Sequence, residues 1–189
     1  MTAVAKSSTA MAAVVASVEA VYAIFNNPAA SAIMLAEQSA ADAYAKAATT
    51  VVGPAVAKLA GQDPAVYTDM AKIAASQVAM AAVRASNTAM TALEASTTAY
   101  NALLASSLIT RYNPANENTW RTDTVYSGSG ILVRLVSFQA SGNWYKLDGG
   151  AQVTLSGKDN KVVKAFNTKL EAYWVDYQED ARGVYYIKC

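Results

Sequence analysis

The carboxylates that could do chemistry gather at turns. Asp176, Glu179 and Asp180 surround "DYQEDARG", and Asp148 and Asp159 lie at two other turns. A calcium site needs several convergent oxygen ligands, and no EF-hand-like spacing is present. A hydrolytic pair needs a fixed separation and one raised pKa, and nothing in the sequence fixes either. These acids read as turn formers. The 189 residues contain no histidine, which removes the commonest general base and the commonest metal ligand. Cys189 is the single cysteine, so neither an intrachain disulfide nor a Cys-based zinc site can form. It reads as a thiol without a role, with cross-linking between subunits as the alternative. No phosphate-cradling glycine motif occurs, and "GSG" alone is a turn. The expectation is no enzyme, no cofactor and no metal.

Aromatics are the other candidates. Trp120, Trp144, Tyr145, Tyr173, Trp174 and Tyr177 crowd a short region. Amphipathic rings make large rigid contacts and would suit a surface glycan. A small β-domain also needs large core residues, and alternate members of 173–177 must face inward. Candidate partner contacts are Trp144, Tyr145, Tyr173 and Tyr177, the three tyrosines being the first expected to be exposed.

The elements that must position these residues change character near residue 107. Before it, alanine makes up about a third of the chain and the only glycines are Gly53 and Gly61; alanine has the highest helix propensity. After it come all three tryptophans and the other glycines, with Val, Tyr and Thr, the signature of strands joined by tight turns. The fold class expected is α+β, segregated. Residues 1–109 form an Ala-rich helical repeat region, 110–118 a linker around Pro114, and 119–189 a small antiparallel sandwich or barrel. Strands are predicted over 119–126, 131–140, 143–148, 151–157, 161–167, 169–177 and 183–189. Helices are predicted near 4–25, 28–51 and 64–107. Asn27 and Asp63 would act as N-caps ahead of Pro28 and Pro64, with a stop at Gly53–Pro54. The last helix would run about 65 Å at 1.5 Å per residue.

A ten-residue phrase recurs in the helical part: "STAMAAVVAS" (8–17), "SQVAMAAVRAS" (76–86), "SNTAMTALEAS" (86–96) and "STTAYNALLAS" (96–106). Aligned on serine it reads S-x-x-A-Φ-x-A-Φ-x-A. The Φ positions are Met11 and Val14, Val21 and Ile24, Met80 and Val83, Met90 and Leu93, Tyr100 and Leu103. Three apart, each pair shares one helix face. Ten residues fall about 80° short of three turns, against about 20° for a heptad. The stripe therefore slides quickly around a straight helix, so helices must twist strongly about each other or bury different faces against several neighbours. An oligomeric shaft held by the Φ residues is the expectation. An intramolecular bundle and a membrane-lying helix are the alternatives, the last disfavoured by a Ser/Thr polar face. Lys6 and the phrase after it have the outline of a short export signal, but the phrase returns deep in the chain and is read as repeat. No stretch reaches the ~18 apolar residues of a membrane span. Net charge is +1 with 15% charged residues and no basic run, so no nucleic acid partner is expected.

The tandem phrases at Ser8–Ser17 and Ser76–Ser106, extended loosely over 18–46, resemble those of tailed-bacteriophage structural proteins, particularly fibre and tail-associated proteins. "TVYSGSGILVRLVSF" (124–138) also resembles openings of β-modules in phage tail proteins. The resemblance implies a virion location, a homotrimeric fibre with a helical stalk and a β-rich tip, and partners among other virion proteins and a host surface glycan. It brings no catalytic residues. The Pro/Gly interruptions depart from an unbroken stalk and leave room for helices that fold back. The function expected is a short homotrimeric fibre or attachment protein acting by multivalent binding. The alternative is a capsid decoration or tail-assembly protein without host contact. A bacterial surface adhesin would want an export signal.

Overall fold

The serine of each phrase is a corner, not a point on a continuous helix. The structure, a computed structural model, describes residues 1–46, 49–113, 121–137, 141–174 and 183–189. Ser7, Ser17, Ser76, Ser86 and Ser96 all have extended backbone, with φ between −97° and −126°. Each hydroxyl accepts the N–H of the alanine three residues on, at 3.1–3.2 Å. Each of these serines also donates its own N–H to the carbonyl three residues back, at 3.0–3.3 Å. One residue thus closes the preceding helix and caps the next, satisfying backbone groups that a helix end leaves orphaned. Asn27 accepts from Ala30 N–H at 3.1 Å ahead of Pro28 in the same way.

The long helices expected over 4–25, 28–51 and 64–107 are therefore broken into short ones. They are α1 (Thr2–Lys6), α2 (Ser8–Val14), α3 (Val18–Phe25), α4 (Pro28–Leu35), α5 (Gln38–Lys46), α6 (Thr49–Leu59), α7 (Met70–Ala74), α8 (Gln77–Ala85), α9 (Asn87–Ala95) and α10 (Thr97–Leu104). Helices this short are marginal in water and depend on packing. The direction turns by 102° from α2 to α3, so about three and a half such corners would complete a circle. The contacts follow that arithmetic. α1 packs on α4, α2 on α5, α3 on α6, α6 on α9 and α7 on α10. Over these pairs the chain winds as a solenoid of about three helices per turn, one helix resting on the third before it, while α3 also reaches α9 and α5 reaches α10. Hydroxyls pin successive turns: Ser86 donates to Leu59 C=O at 3.0 Å, Ser106 to Ala74 C=O and Ser39 to Ala5 C=O. Lys58 on α6 meets Glu19 on α3 at 2.6 Å and lies 4.4 Å from the centre of the Tyr22 ring.

The middle of this unit corrects two further expectations. Gly53–Pro54 does not stop a helix but lies inside α6. A Cβ on Gly53 would sit 2.6 Å from Asp69 C and Met70 N, so glycine is there because the backbone entering α7 crosses α6 at contact distance. The stop comes at Gly61 (φ +69°), where Gln62 N–H donates to Ala57 C=O at 2.8 Å, a left-handed helix ending. Asp63 caps no long helix at Pro64. Its carboxylate accepts Ala65 N–H at 2.8 Å within a single turn, and Asp69 caps α7 through Lys72 N–H at 2.9 Å.

The chain divides into two compact units, Met1–Leu108 and Ile109–Cys189. The second begins with β1 (Ile109–Tyr112), a strand across the boundary expected between the helical region ending at 109 and the linker over 110–118; 114–118 lie outside the described residues. Then come β2 (Arg121–Ser127), β3 (Gly130–Val136), β4 (Trp144–Leu147), β5 (Val153–Thr154), β6 (Asp159–Phe166), β7 (Lys169–Trp174) and β8 (Gly183–Lys188). They form two antiparallel four-stranded sheets in the orders β1-β8-β3-β6 and β2-β7-β4-β5. The inward faces share one core: Leu132, Leu135, Val162, Phe166, Val184 and Tyr186 from the first sheet, Val125, Tyr145, Leu170 and Ala172 from the second. β3 carries a bulge at Val133 and β6 one at Val163, whose φ is +47°. A bulge on edge strand β6 twists it and disfavours further pairing there.

Candidate binding face

The stripe residues expected at an oligomer interface lie inside one chain. Met11, Val21, Ile24, Met80, Val83, Met90, Leu93 and Leu103 are buried, and Val14 and Tyr100 half-buried. Because the serine corner resets each helix, Φ residues four and seven positions on always meet the same interior, and the stripe never slides. The buried members of the stripe thus pack against their own chain, while Val14 and Tyr100 keep part of their surface.

In the β unit, alternation along two strands decides which aromatics face out. On β4, Tyr145 points into the core while Trp144 and Lys146 take the other face. On β7, Leu170 and Ala172 point in, leaving Glu171 and Tyr173 outside. Tyr145 is only 5% exposed, which corrects its expected role as a surface contact. Tyr177, with Trp120, lies outside the described residues. The register places Trp144 directly opposite Tyr173, with Thr122 and Thr154 continuing the row across β2 and β5. The two rings are parallel, tilted by 2° with centroids 5.1 Å apart, a stacked pair held by its strands. Thr122, Thr124 and Thr154 are exposed around it.

Charge on this face is unevenly committed. Glu171 stands opposite Lys146 in the register, yet its carboxylate is held by Lys169 at 2.8 Å. Lys146 instead reaches its ammonium to 5.0 Å from the Trp144 ring centre, a cation–π contact. Lys146, Glu171 and the threonines were not singled out from sequence. Their signal was the strand period of two, counted from Trp144 and Tyr173.

The acids at the other turns have structural work. Asp148, with φ +55°, accepts the backbone N–H groups of Asn167, Thr168 and Lys169 at 2.9, 2.6 and 3.1 Å, and the Thr168 hydroxyl at 3.0 Å. Desolvation pushes its carboxyl up, but these hydrogen bonds together outweigh it and hold the pKa down at about 2. Asp159 accepts two hydrogen bonds from Arg134, at 2.6 and 2.8 Å, which lower its pKa. Asp176, Glu179 and Asp180 lie outside the described residues. Among the described residues no three acidic or thiol groups come together as a metal site would require, and no single helix is long and apolar enough to cross a membrane. Cys189 is half-buried, with its N–H on Ser129 C=O at 2.9 Å.

No protein family matches this chain, and no curated protein matches it either.

Proposed function

We propose that the chain is a structural component of a tailed-phage particle. In this reading the helical unit docks or spaces, and the β unit recognises a partner by multivalent, non-covalent contact. The observation that carries it is the serine-cornered decad. Its repetition builds a regular scaffold from one chain, and its phrases resemble those of fibre and tail-associated proteins. Repetition at fixed spacing serves geometry better than chemistry, since the repeats turn the same two apolar positions inward, fully or in part. Avidity then comes from copy number on the particle, where many weak contacts act together, rather than from a trimeric stalk.

A second reading, a decoration or assembly protein that stabilises neighbouring virion subunits without host contact, draws on the same burial of the stripe inside one chain. Antibody labelling of purified particles tests the shared claim: label at particle surfaces supports it, and absence of the chain from washed particles overturns it. Light scattering after size exclusion is expected to give 19.8 kDa, one chain, with or without reductant. A threefold mass would restore the trimer and require a surface other than the stripe.

A further inference from the structure

The two sheets of the β unit meet at a pair of tyrosines, and no disulfide can tie them, since Cys189 is the single cysteine. We propose that Tyr126 of β2 and Tyr186 of β8 form an oxidative modification site, at which a one-electron oxidant couples the two phenol rings into a covalent staple between the sheets.

Four observations lead there. The ring centroids lie 5.3 Å apart with a tilt of 31°, so the rings are in contact before any bond forms. Tyr126 belongs to the β2-β7-β4-β5 sheet and Tyr186 to the β1-β8-β3-β6 sheet, so a bond between them joins strands that are neighbours in neither. Both rings are held. Phe166 packs edge-on against Tyr126 at 6.2 Å, a Cβ on Gly128 would meet the Tyr126 hydroxyl at 2.7 Å, and Tyr186 is buried in the shared core. Fixed neighbours react as though highly concentrated, because the freedom lost in bringing them together was lost in folding. The buried ring also has a route outward. Tyr126 and Tyr112 are half-buried against the same core. The Tyr186 pKa is raised first by burial and then by the phenols of Tyr126 and Tyr112, which places three hydroxyls within electrostatic reach of one another. Tyr126 therefore meets the oxidant first, and an electron and a proton pass outward to it from Tyr186.

The step balances. One hydrogen peroxide, acting through a haem peroxidase, takes one electron from each phenol. With the two hydroxyl protons it leaves as two waters. The two radicals join at ring carbons next to those that carry oxygen. The hydrogen on each joined carbon then moves to its own oxygen and restores two phenols. The chain is left two hydrogens lighter.

The test treats the full chain at high dilution with hydrogen peroxide and a haem peroxidase. A parallel sample receives persulfate and a photoactivated ruthenium complex, an oxidant small enough to reach a half-buried ring. The product expected is a single chain lighter by two hydrogens, with the blue emission of coupled phenols. Its digest should contain a cross-linked peptide pair joined through Tyr126 and Tyr186. Tyr126→Phe and Tyr186→Phe keep the ring and lose only the hydroxyl, and each should cut this product at least tenfold. Tyr173→Phe, on the outer face, should leave it unchanged. The coupled chain should melt about 10 °C or more above the untreated one by circular dichroism, because the staple restricts the unfolded chain. The proposal is overturned if neither oxidant yields a Tyr126–Tyr186 peptide, if coupling joins only separate chains, or if the product survives Tyr126→Phe. The peptide map of the unsubstituted chain decides the matter even if a Phe variant folds poorly.

Discussion

The two units use periodicity in opposite ways. In the β unit the period of two sorts each strand into an inward and an outward row, and the register then assembles the site, bringing Trp144 of β4 beside Tyr173 of β7. In the helical unit the period of ten is not a helical period at all. It is the length of one side of a polygon, and its chemistry resides in the serine, not in the apolar stripe. A strand pattern describes a surface, whereas this repeat describes where the chain turns. The same two apolar positions per repeat would support a long amphipathic helix or a folded solenoid, and only the corner separates them.

Each unit has a glycine where the backbone of another element comes too close for a Cβ, Gly53 in one and Gly130 in the other, and these give the largest expected effects. In the solenoid a Cβ at Gly53 would meet the Asp69–Met70 backbone at 2.6 Å. In the sandwich one at Gly130 would meet Ile187 C=O, and Phe166 Cζ at 2.7 Å. Backbone cannot yield as a side chain tip can, so each Gly→Ala should cost about 3 kcal/mol, roughly 12 °C or more in the melting temperature of a unit of this size. Gly53→Ala should lower the helical circular dichroism transition and move tryptophan fluorescence less, since every tryptophan lies in the β unit. Gly130→Ala should do the opposite. Equal shifts in both signals for both variants would show that the units melt as one and blunt the comparison.

A smaller effect has the sharper sign. If the decads were continuous helix, Ser86→Ala and Ser96→Ala would replace a mediocre helix former by the best and stabilise by up to about 0.5 kcal/mol each. As corner caps, these serines should instead lose about 1 kcal/mol each on substitution. Ser86 also surrenders its bond to Leu59 C=O. Chemical denaturation of the two single variants and the double decides it. Stabilisation by either one would contradict the corner, and near-additive losses would support independent caps.

Much of the β unit was legible beforehand because alternating residues and turn dipeptides act locally; seven of its strands fall where turns and Val/Tyr runs predict them. β1 was missed because "ITRY" carries too little apolar alternation to outweigh the polar stretch after it. Tyr145 was misplaced because phase along β4 is set by Leu147 and by pairing with β7, not by ring type. In the helical unit composition predicted helix correctly, and S-x-x-A was even aligned on the capping residue. Its meaning escaped because serine is tolerated inside helices and prized at caps, and the choice depends on whether a third helix back is there to receive the next side. That is a non-local fact. Gly53 looks like a terminator in sequence for the same reason: its partner, the 69–70 backbone, is distant along the chain.

The finest contrast is in pH. Asp148, whose pKa folding holds down, belongs to the β unit, so acid should strain that unit. The folded pKa of Asp148 is about 2 against an ordinary 3.8. A group depressed on folding contributes stability above its unfolded pKa, and that contribution fades as pH falls through the folded value. The loss should therefore run between about pH 4 and pH 2. Asp159, lowered by Arg134, adds a share in the same direction. Asp148 is exposed, so water screens part of the effect and the shift should amount to only a few degrees. Asp148→Asn keeps an oxygen for the Asn167–Lys169 backbone and tolerates the left-handed φ of +55°, but removes the charge. Its fluorescence melting temperature should start lower at pH 6 and fall less steeply towards pH 2, while the helical signal of both proteins stays parallel. A variant that follows the parent's slope would mean that the carboxylate's hydrogen bonds place the Asn167–Thr168 turn without stabilising it by charge.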